Sequence, residues 1–539
     1  MSFIKKLGLS VLSGLLFSLA WPERGFSPLI FIAFVPLLLI SYDLKKQRAS
    51  TMQITFFAYI AFILWNALTT YWVWFSSPPG GVAAIVLLSL FFTIVYTAFQ
   101  FTYKYLPGQW GLISLPIYWI AFEKFHLEWD LTWPWLTLGN VFSENYQWVQ
   151  WYEYTGVFGG TTWVFAANIL FFILLTKFDK ADVKKVLYPG LIFAGIVLIP
   201  IVLSVIRYNG YTEKTAPVNV LVVQPNIDPY NEKFASGTYI QQTEKFIKLA
   251  KPLIDPTVDY IIGPETALSA GIEEDFINEY TEVQLLRKML KGTTKALLVT
   301  GASSYRHYKK WETPSATARK DRQGNYFYDS YNTALQLDTT ELVQYSHKSK
   351  LVPGVERMPT WAGFLEKYAI DLGGMTGSLG RDTIQHVFEN HNSGMKIAPS
   401  ICYESVYGEY MGEFVKKGAQ LIFIITNDGW WRDTPGHRQH CSYARLRAIE
   451  SRRSIARSAN TGISCFVNQR GDMFQATKYW EPAAIKQTIN ANTELTFYTL
   501  HGDYIARICN WLLLLFLVGA IGLKVKSFRE RKRMKFKAK

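Results

Sequence analysis

The chain has 539 residues, a formal net charge of +14, 49% hydrophobic and 16% aromatic residues, and a mean hydropathy of +0.06. That length is too great for one ordinary core, and the apolar content is too high for a wholly soluble enzyme yet too low for a chain that is membrane throughout. A small single domain is excluded, and a molecule partly embedded in a bilayer and partly globular is expected.

Apolar runs lie near residues 7–22, 26–42, 52–75, 81–103, 110–123, 157–176, 186–206 and 508–523. Roughly 20 residues at about 1.5 Å each cross a hydrocarbon core of about 30 Å, and several runs reach or approach that length. The runs at 7–22 and 110–123 are short. The first, preceded by Lys5 and Lys6, also resembles a secretory signal peptide, but "FSLAWPERG" has no small-x-small cleavage site and further spans follow closely, so a retained span is expected.

Basic residues fix the expected orientation. Lys5 and Lys6, then Lys45, Lys46 and Arg48, then Lys104, then Lys177, Lys180, Lys184 and Lys185 fall on one side of successive spans, which the positive-inside rule makes cytoplasmic. Seven spans over residues 1–210 then put residues 211–500 outside, and an eighth span within 501–539 returns the tail to the cytoplasm. That tail, "KVKSFRERKRMKFKAK", has nine Lys/Arg and one Glu, so it holds +8 of the net +14 and leaves +6 elsewhere. Directly after a span, such a run is read as lying on anionic lipid and not on nucleic acid. On the outer face, Trp129, Trp133, Trp135, Trp148 and Trp151 suit the headgroup region as an interfacial belt.

From residue 211 the pattern changes. "VNVLVVQPN", "DYIIGPE", "KALLVTGASS", "YNTALQLD", "KIAPSICYE", "AQLIFIITND" and "ISCFVNQRG" are short, near-continuous apolar runs, as strands buried on both faces are. Between them lie helical patterns such as "TYIQQTEKFIKLAKPL" and "RQHCSYARLRAIESRR". This is the grammar of a layered α/β domain.

Glu265 ends one of these strands, Cys402 nearly ends another, and Lys348 follows a third in "YSHKSKLVPGVE". Strand ends at one sheet edge converge in space. A free thiol has a pKa near 8.5 and needs a base or a positive charge to react at neutral pH. A carboxylate can take that proton and return it, and an ammonium can stabilise an oxyanion, so the three types together form a covalent acyl-transfer site without a metal or other cofactor. Cys441, Cys465 and Cys509 read as small buried residues.

The blocks "GPETAL", "HKSKLVPGVE", "ICYES" and "TNDGWW" resemble the signatures of the nitrilase superfamily. Across the whole chain, from the first spans through "WPWLTLGN" to the last, the sequence resembles the apolipoprotein N-acyltransferase family. The resemblance implies a multi-pass helical membrane domain joined to an α-β-β-α sandwich in the bacterial inner membrane, with the sandwich on the periplasmic face. It implies Cys402 as nucleophile, Glu265 as general base and acid, and Lys348, in preference to Lys350, as oxyanion partner. Glu356, Tyr403, Glu404 and Trp430 would support them. The implied donor is a membrane phospholipid and the acceptor a diacylglyceryl-modified apolipoprotein. "LVPGVERMP" departs from the family's commoner "LVPFGEYVP", which leaves the shape of that loop open. Arg445, Arg447, Arg452 and Arg453 form either a solvated helix face or a patch for lipid phosphate. The alternatives to acyl transfer are a membrane-anchored amidase and a non-catalytic membrane scaffold.

Overall fold

The computed structural model describes residues 1–23, 25–176, 184–292, 295–321, 324, 326–359 and 378–537. Lys177 and Lys180 of the basic set lie outside these residues.

The first half is helical: α1 (Phe3–Ala20), α2 (Val35–Lys46), α3 (Met52–Thr70), the short α4 (Val73–Ser76), α5 (Pro78–Tyr105), α6 (Trp110–His126), α7 (Tyr152–Thr176) and α8 (Lys184–Gly210). Local chemistry sets the ends. Ser77 accepts the Gly80 N–H at 3.1 Å and Pro78 and Pro79 occupy the first turn, a start signal for α5. Among the described residues, seven helices are long and apolar enough to cross a membrane, the last being Tyr504–Met534. Their inner faces meet through aromatic rings: Phe17 on Trp65 at 4.7 Å, Trp65 on Phe92 at 5.2 Å, and Phe92 on Trp119 at 4.8 Å.

The expected span at 110–123 is α6, which at 17 residues is about 25 Å long and shorter than the other seven. Its last turn carries charge that the globular half uses. Lys124 Nζ pairs with Glu409 at 2.5 Å and Asp503 at 3.2 Å, while Glu123 accepts from Leu138 N and Thr161 Oγ1. The end of α6 is therefore a junction with the second half.

That half holds fourteen strands among the described residues. They are β1 (Pro217–Gln224), β2 (Tyr260–Ile262), β3 (Leu268–Glu273), β4 (Leu297–His307), β5 (Arg319–Lys320), β6 (Phe327–Leu337) and β7 (Val343–His347), then β8 (Phe388–Glu389), β9 (Lys396–Ile401), β10 (Leu421–Thr426), β11 (Ile455–Ala459), β12 (Cys465–Val467), β13 (Met473–Phe474) and β14 (Ala483–Asn490). One sheet runs β14-β1-β2-β4-β6-β5, with β3 beside β4 and β7 beside β6; the other runs β13-β12-β11-β10-β9-β8. β1, β2 and β4 are parallel, as are β9, β10 and β11, with Ile422 opposite both Ala398 and Ile455.

The sheets face each other, with Tyr260 on Phe423 at 5.1 Å. Helices α9 (Tyr239–Ala250) and α10 (Thr281–Leu290) cover the first sheet, where Phe246, Val283 and Leu286 bury Leu221, Ile261 and Leu298. Helices α11 (Gly408–Lys416) and α12 (Pro435–Ser451) lie beyond the second, completing an α-β-β-α sandwich. The short α13 (Phe497–His501) leads into α14 (Tyr504–Lys537), which returns to the membrane half against α5 and α6.

Two expectations about this junction are corrected. The arginines on and after α12 form neither a solvated face nor a phosphate patch. Arg447 pairs with Glu450 at 2.8 Å, Arg452 with Glu153 of α7 at 2.8 Å, and Arg453 donates to the Ala419 and Glu494 carbonyls, all three being buried. Arg445 is half-buried, over the Tyr146 ring. Trp135 is not at a wet interface either: it is fully buried against Trp72, Trp431 and Tyr443 and donates to Gln439 Oε1 at 2.8 Å. Both corrections have one cause. α12 is covered by the membrane half as well as by its own sheet, so its polar groups meet partners from remote sequence.

Candidate active site

The carboxyl ends of β2, β7, β9 and β10 point to one region, and the loops that leave them bring Glu265, Lys348, Cys402 and Asn427 to a single cavity of about 130 Å³. Lys348 is only 1% exposed. Its Nζ donates to Glu265 Oε1 at 3.1 Å and to Glu356 Oε1 at 2.7 Å. Burial opposes the ammonium, but Glu265 and Glu356 outweigh it and hold its pKa well above the ordinary lysine value. Asn332 Nδ2 donates to the same two oxygens, at 2.7 and 3.1 Å, and the Asn332 carbonyl takes the Lys348 N–H at 2.8 Å.

Cys402 follows β9 with φ of 51°, in the left-handed region that a non-glycine residue occupies at a cost of about 1–3 kcal/mol. This turn lifts the side chain out of the sheet into the cavity. Burial and the Glu265 carboxylate push its thiol up, with Lys348 acting the other way. Glu404, two residues on, joins this strand end to the lysine loop. It accepts from Ile401 N at 2.9 Å, Ser349 N at 2.6 Å and Tyr410 Oη at 2.7 Å. Burial raises its pKa, against those donors. Tyr403 Oη donates to the Thr132 carbonyl at 2.8 Å, tying the residue after Cys402 to the membrane half.

The loop whose shape the sequence left open turns at Gly354 (φ 78°), and its Glu356 Oε2 accepts the Val352 N–H at 2.8 Å. That bond aims the other oxygen of Glu356 at Lys348. Trp430 forms a cavity wall, perpendicular to Tyr230 at 5.4 Å and stacked over Phe234 at 6.4 Å. All seven candidate residues thus gather within one connected set.

A second cavity of about 350 Å³ meets the first at Cys402, Val352, Val355 and Trp431. Its walls are apolar and include Ala84, Leu87, Leu88 and Phe91 of α5. The thiol therefore stands between a polar chamber in the sandwich and an apolar one that opens among the membrane helices.

Four residues around the thiol are not singled out in the sequence, although one of them, Asp428, lies within the "TNDGWW" block. Asn332 lies in the middle of β6 among Asp329, Ser330, Thr333 and Gln336, where nothing singles it out from its polar neighbours. Lys233 is buried and donates to the Glu265 carbonyl at 2.8 Å; burial lowers its pKa to about 7, with Glu265 opposing. Asp428 and His440 lie below Cys402, and one ligand-type atom from each of the three falls within 4.8 Å of the others. Both His440 nitrogens already have partners, Asp428 Oδ1 at 2.9 Å and the Cys402 carbonyl at 3.1 Å, so the trio is a hydrogen-bonded set.

Residues 220–496 match the family model for carbon-nitrogen hydrolases, and residues 13–170 match the apolipoprotein N-acyltransferase N-terminal domain. The apolipoprotein N-acyltransferase of Chlorobaculum tepidum is 29% identical over 94% of this chain and 94% of its own, and that of Geobacter metallireducens is 25% identical over 97% and 95%. Nit3 of Saccharomyces cerevisiae, a solved member of branch 10 of the nitrilase superfamily, aligns with a TM-score of 0.35 at 15% identity, over 54% of this chain and 96% of that one. The chain belongs to the carbon-nitrogen hydrolase family, and it carries an apolipoprotein N-acyltransferase N-terminal domain ahead of the hydrolase-type half.

Proposed function

We propose that this protein acylates lipoproteins: it takes a fatty acyl chain from a membrane phospholipid onto Cys402 as a thioester and passes it to the α-amine of a diacylglyceryl-modified N-terminal cysteine. The observation that carries the reading is the apolar cavity that runs from α5 to the Cys402 thiol. A hydrolase of small soluble amides has no use for it. A lipid acyl chain gains little free energy by leaving one apolar medium for another. The cavity therefore serves by placing the ester carbonyl beside the sulfur, where orientation replaces free diffusion.

In the first step Cys402 Sγ attacks the ester carbonyl while Glu265 takes the thiol proton. Lys348 stabilises the oxyanion, and collapse breaks the ester C–O bond as Glu265 protonates the departing lysophospholipid oxygen. In the second step the lipoprotein amine attacks the thioester, Glu265 takes a proton from nitrogen and returns it to the leaving sulfur, and an amide forms. Glu356 and Asn332 hold Lys348 and Glu265 in register, Glu404 fixes the lysine loop, Tyr403 anchors the nucleophile's turn, and Trp430 walls the chamber. The spread of basic residues supports a bacterial inner-membrane location, with the sandwich on the periplasmic side and the end of α14 in the cytoplasm.

The test uses the purified protein with acyl-labelled phospholipid and a diacylglyceryl lipopeptide. Label in an N-terminal amide that disappears in Cys402→Ala is the expected result. Free labelled fatty acid with no N-acylation would identify an amidase-type hydrolysis and overturn the proposal.

A further inference from the structure

The Cys402 carbonyl is held by two donors. Ser405 Oγ donates to it at 2.7 Å, and His440 Nε2 lies 3.1 Å from it. Ser405 Oγ also lies 3.2 Å from Nε2, but its one proton goes to the nearer carbonyl, so both groups facing Nε2 accept and Nε2 carries a proton. On the opposite side of the ring, Nδ1 faces Asp428 Oδ1 at 2.9 Å. Burial opposes the Asp428 charge, but the Arg457 guanidinium beside it holds its carboxyl far below the usual range, so this partner also only accepts. Arg457 Nη2 reaches Asp428 Oδ2 at 2.6 Å and Nδ1 at 3.1 Å; the charged oxygen is the nearer acceptor. With an acceptor on each side, both nitrogens of His440 carry protons and the ring is an imidazolium.

We propose that Asp428 and His440 are a positioning pair for the nucleophile: the pair locks the left-handed Cys402 turn through its carbonyl and sets a protonated imidazole beside the sulfur. The inference rests on the reading of Cys402 as nucleophile and adds a second cation to its site. Arg457, Asp428 and His440 together form a buried chain of net charge +1, each at most 1% exposed. His440 is not the base, because its Nε2 proton already serves the carbonyl and leaves no lone pair for the thiol. Asp428 is itself fixed by Thr426 Oγ1 at 2.7 Å, so the chain has little freedom to rearrange.

Other groups share the field. Glu265 and Lys348 face the thiol from the first sheet, Tyr403 and Asp428 flank it, and Cys441 and Cys465 lie behind Arg457. Trp135 and Trp431 enclose the ring at 5.6 and 5.8 Å and exclude water from it. In such a site a cation near sulfur favours the thiolate.

The experiment follows the pH dependence of Cys402 alkylation by iodoacetamide in the full-length protein, read by mass spectrometry of the Cys402 peptide. His440→Gln keeps a donor for the carbonyl but carries no charge. The variant should raise the alkylation midpoint by about one pH unit, a fall of about tenfold at any fixed pH below it. An unchanged midpoint in a folded His440→Gln protein would overturn the inference, even if the overall rate fell. Nitrogen-15 NMR of the histidines in the unaltered protein gives a readout independent of any variant: two protonated ring nitrogens at neutral pH are expected for His440, and one unprotonated nitrogen would overturn it. Alkylation needs no lipid, so these results stand apart from the outcome of the acyl-transfer assay.

Discussion

Replacing Lys348 by Met tests the geometry of the polar chamber most severely. The ammonium lies 3.1 Å from Glu265 Oε1 and 2.7 Å from Glu356 Oε1, so the two carboxylate oxygens are no more than 5.8 Å apart, the sum of those distances. Without the cation they face each other in a buried site, a repulsion of about 3 kcal/mol at an effective dielectric constant of about 20. Removing one side of a buried ion pair typically costs about 3–5 kcal/mol, in keeping with that figure. The loss has a definite sign with pH. A carboxylate deprived of its cation binds its proton more tightly in the folded state, so the destabilisation grows as pH rises above the unfolded value near 4.3. The thermal transition of the solubilised variant, followed by tryptophan fluorescence, should therefore fall more at pH 8 than at pH 5. Lys348→Met/Glu356→Gln removes one of the opposed charges and should recover about 3 kcal/mol of that loss, while acyl-enzyme formation stays abolished. A Lys348→Met protein that melts like the unaltered one at pH 8, or that acylates Cys402 at the normal rate, would refute the reasoning.

The ring of His347, next to Lys348, lies between Asp382 Oδ1 and Glu274 Oε1, each at 2.9 Å; burial opposes its charge, but the two carboxylates raise its pKa to about 9. Its contribution to stability is complete below the unfolded value near 6.5 and disappears as pH rises through about 9, so the thermal transition should drop over that window and do so less in His347→Gln. Ala84→Trp should block the apolar cavity and slow acyl-enzyme formation from phospholipid by about a hundredfold, the order of a small misplacement of reacting groups, while alkylation of Cys402 by a small soluble reagent is unchanged; slowing of both would show damage to the site itself. Arg447→Met should destabilise the protein by about 3–5 kcal/mol by stranding Glu450, whereas Arg445→Met should cost well under half of that. Equal and small effects of the two, with weaker lipid binding, would restore the phosphate-patch reading.

What the sequence conveyed depended on how local each signal was. Glu265, Lys348 and Cys402 were legible because strands end on them, and an ionisable residue closing an apolar run stands out. Strand β11 was missed because buried Arg457 breaks its apolar run, and that charge is tolerated only because Asp428, remote in sequence, meets it. Arg447, Arg452 and Arg453 misled for the same reason: a helix covered on every side loses the polar stripe by which buried and exposed faces are told apart. Lys233, Asn332 and His440 act through contacts 32, 67 and 38 residues away along the chain, and no pattern in a single sequence records such pairs. The α6 segment read as a span like the others, and nothing in its sequence marked Lys124, in its last turn, as the partner of Glu409 and Asp503.

The most direct measurement is the intact mass of the Cys402 peptide after the purified protein has met phospholipid with no acceptor present. A fatty-acyl adduct on Cys402, removed by hydroxylamine and by a lipopeptide amine, is the predicted result. An unmodified Cys402 in a preparation that still N-acylates lipopeptide would contradict the thioester route.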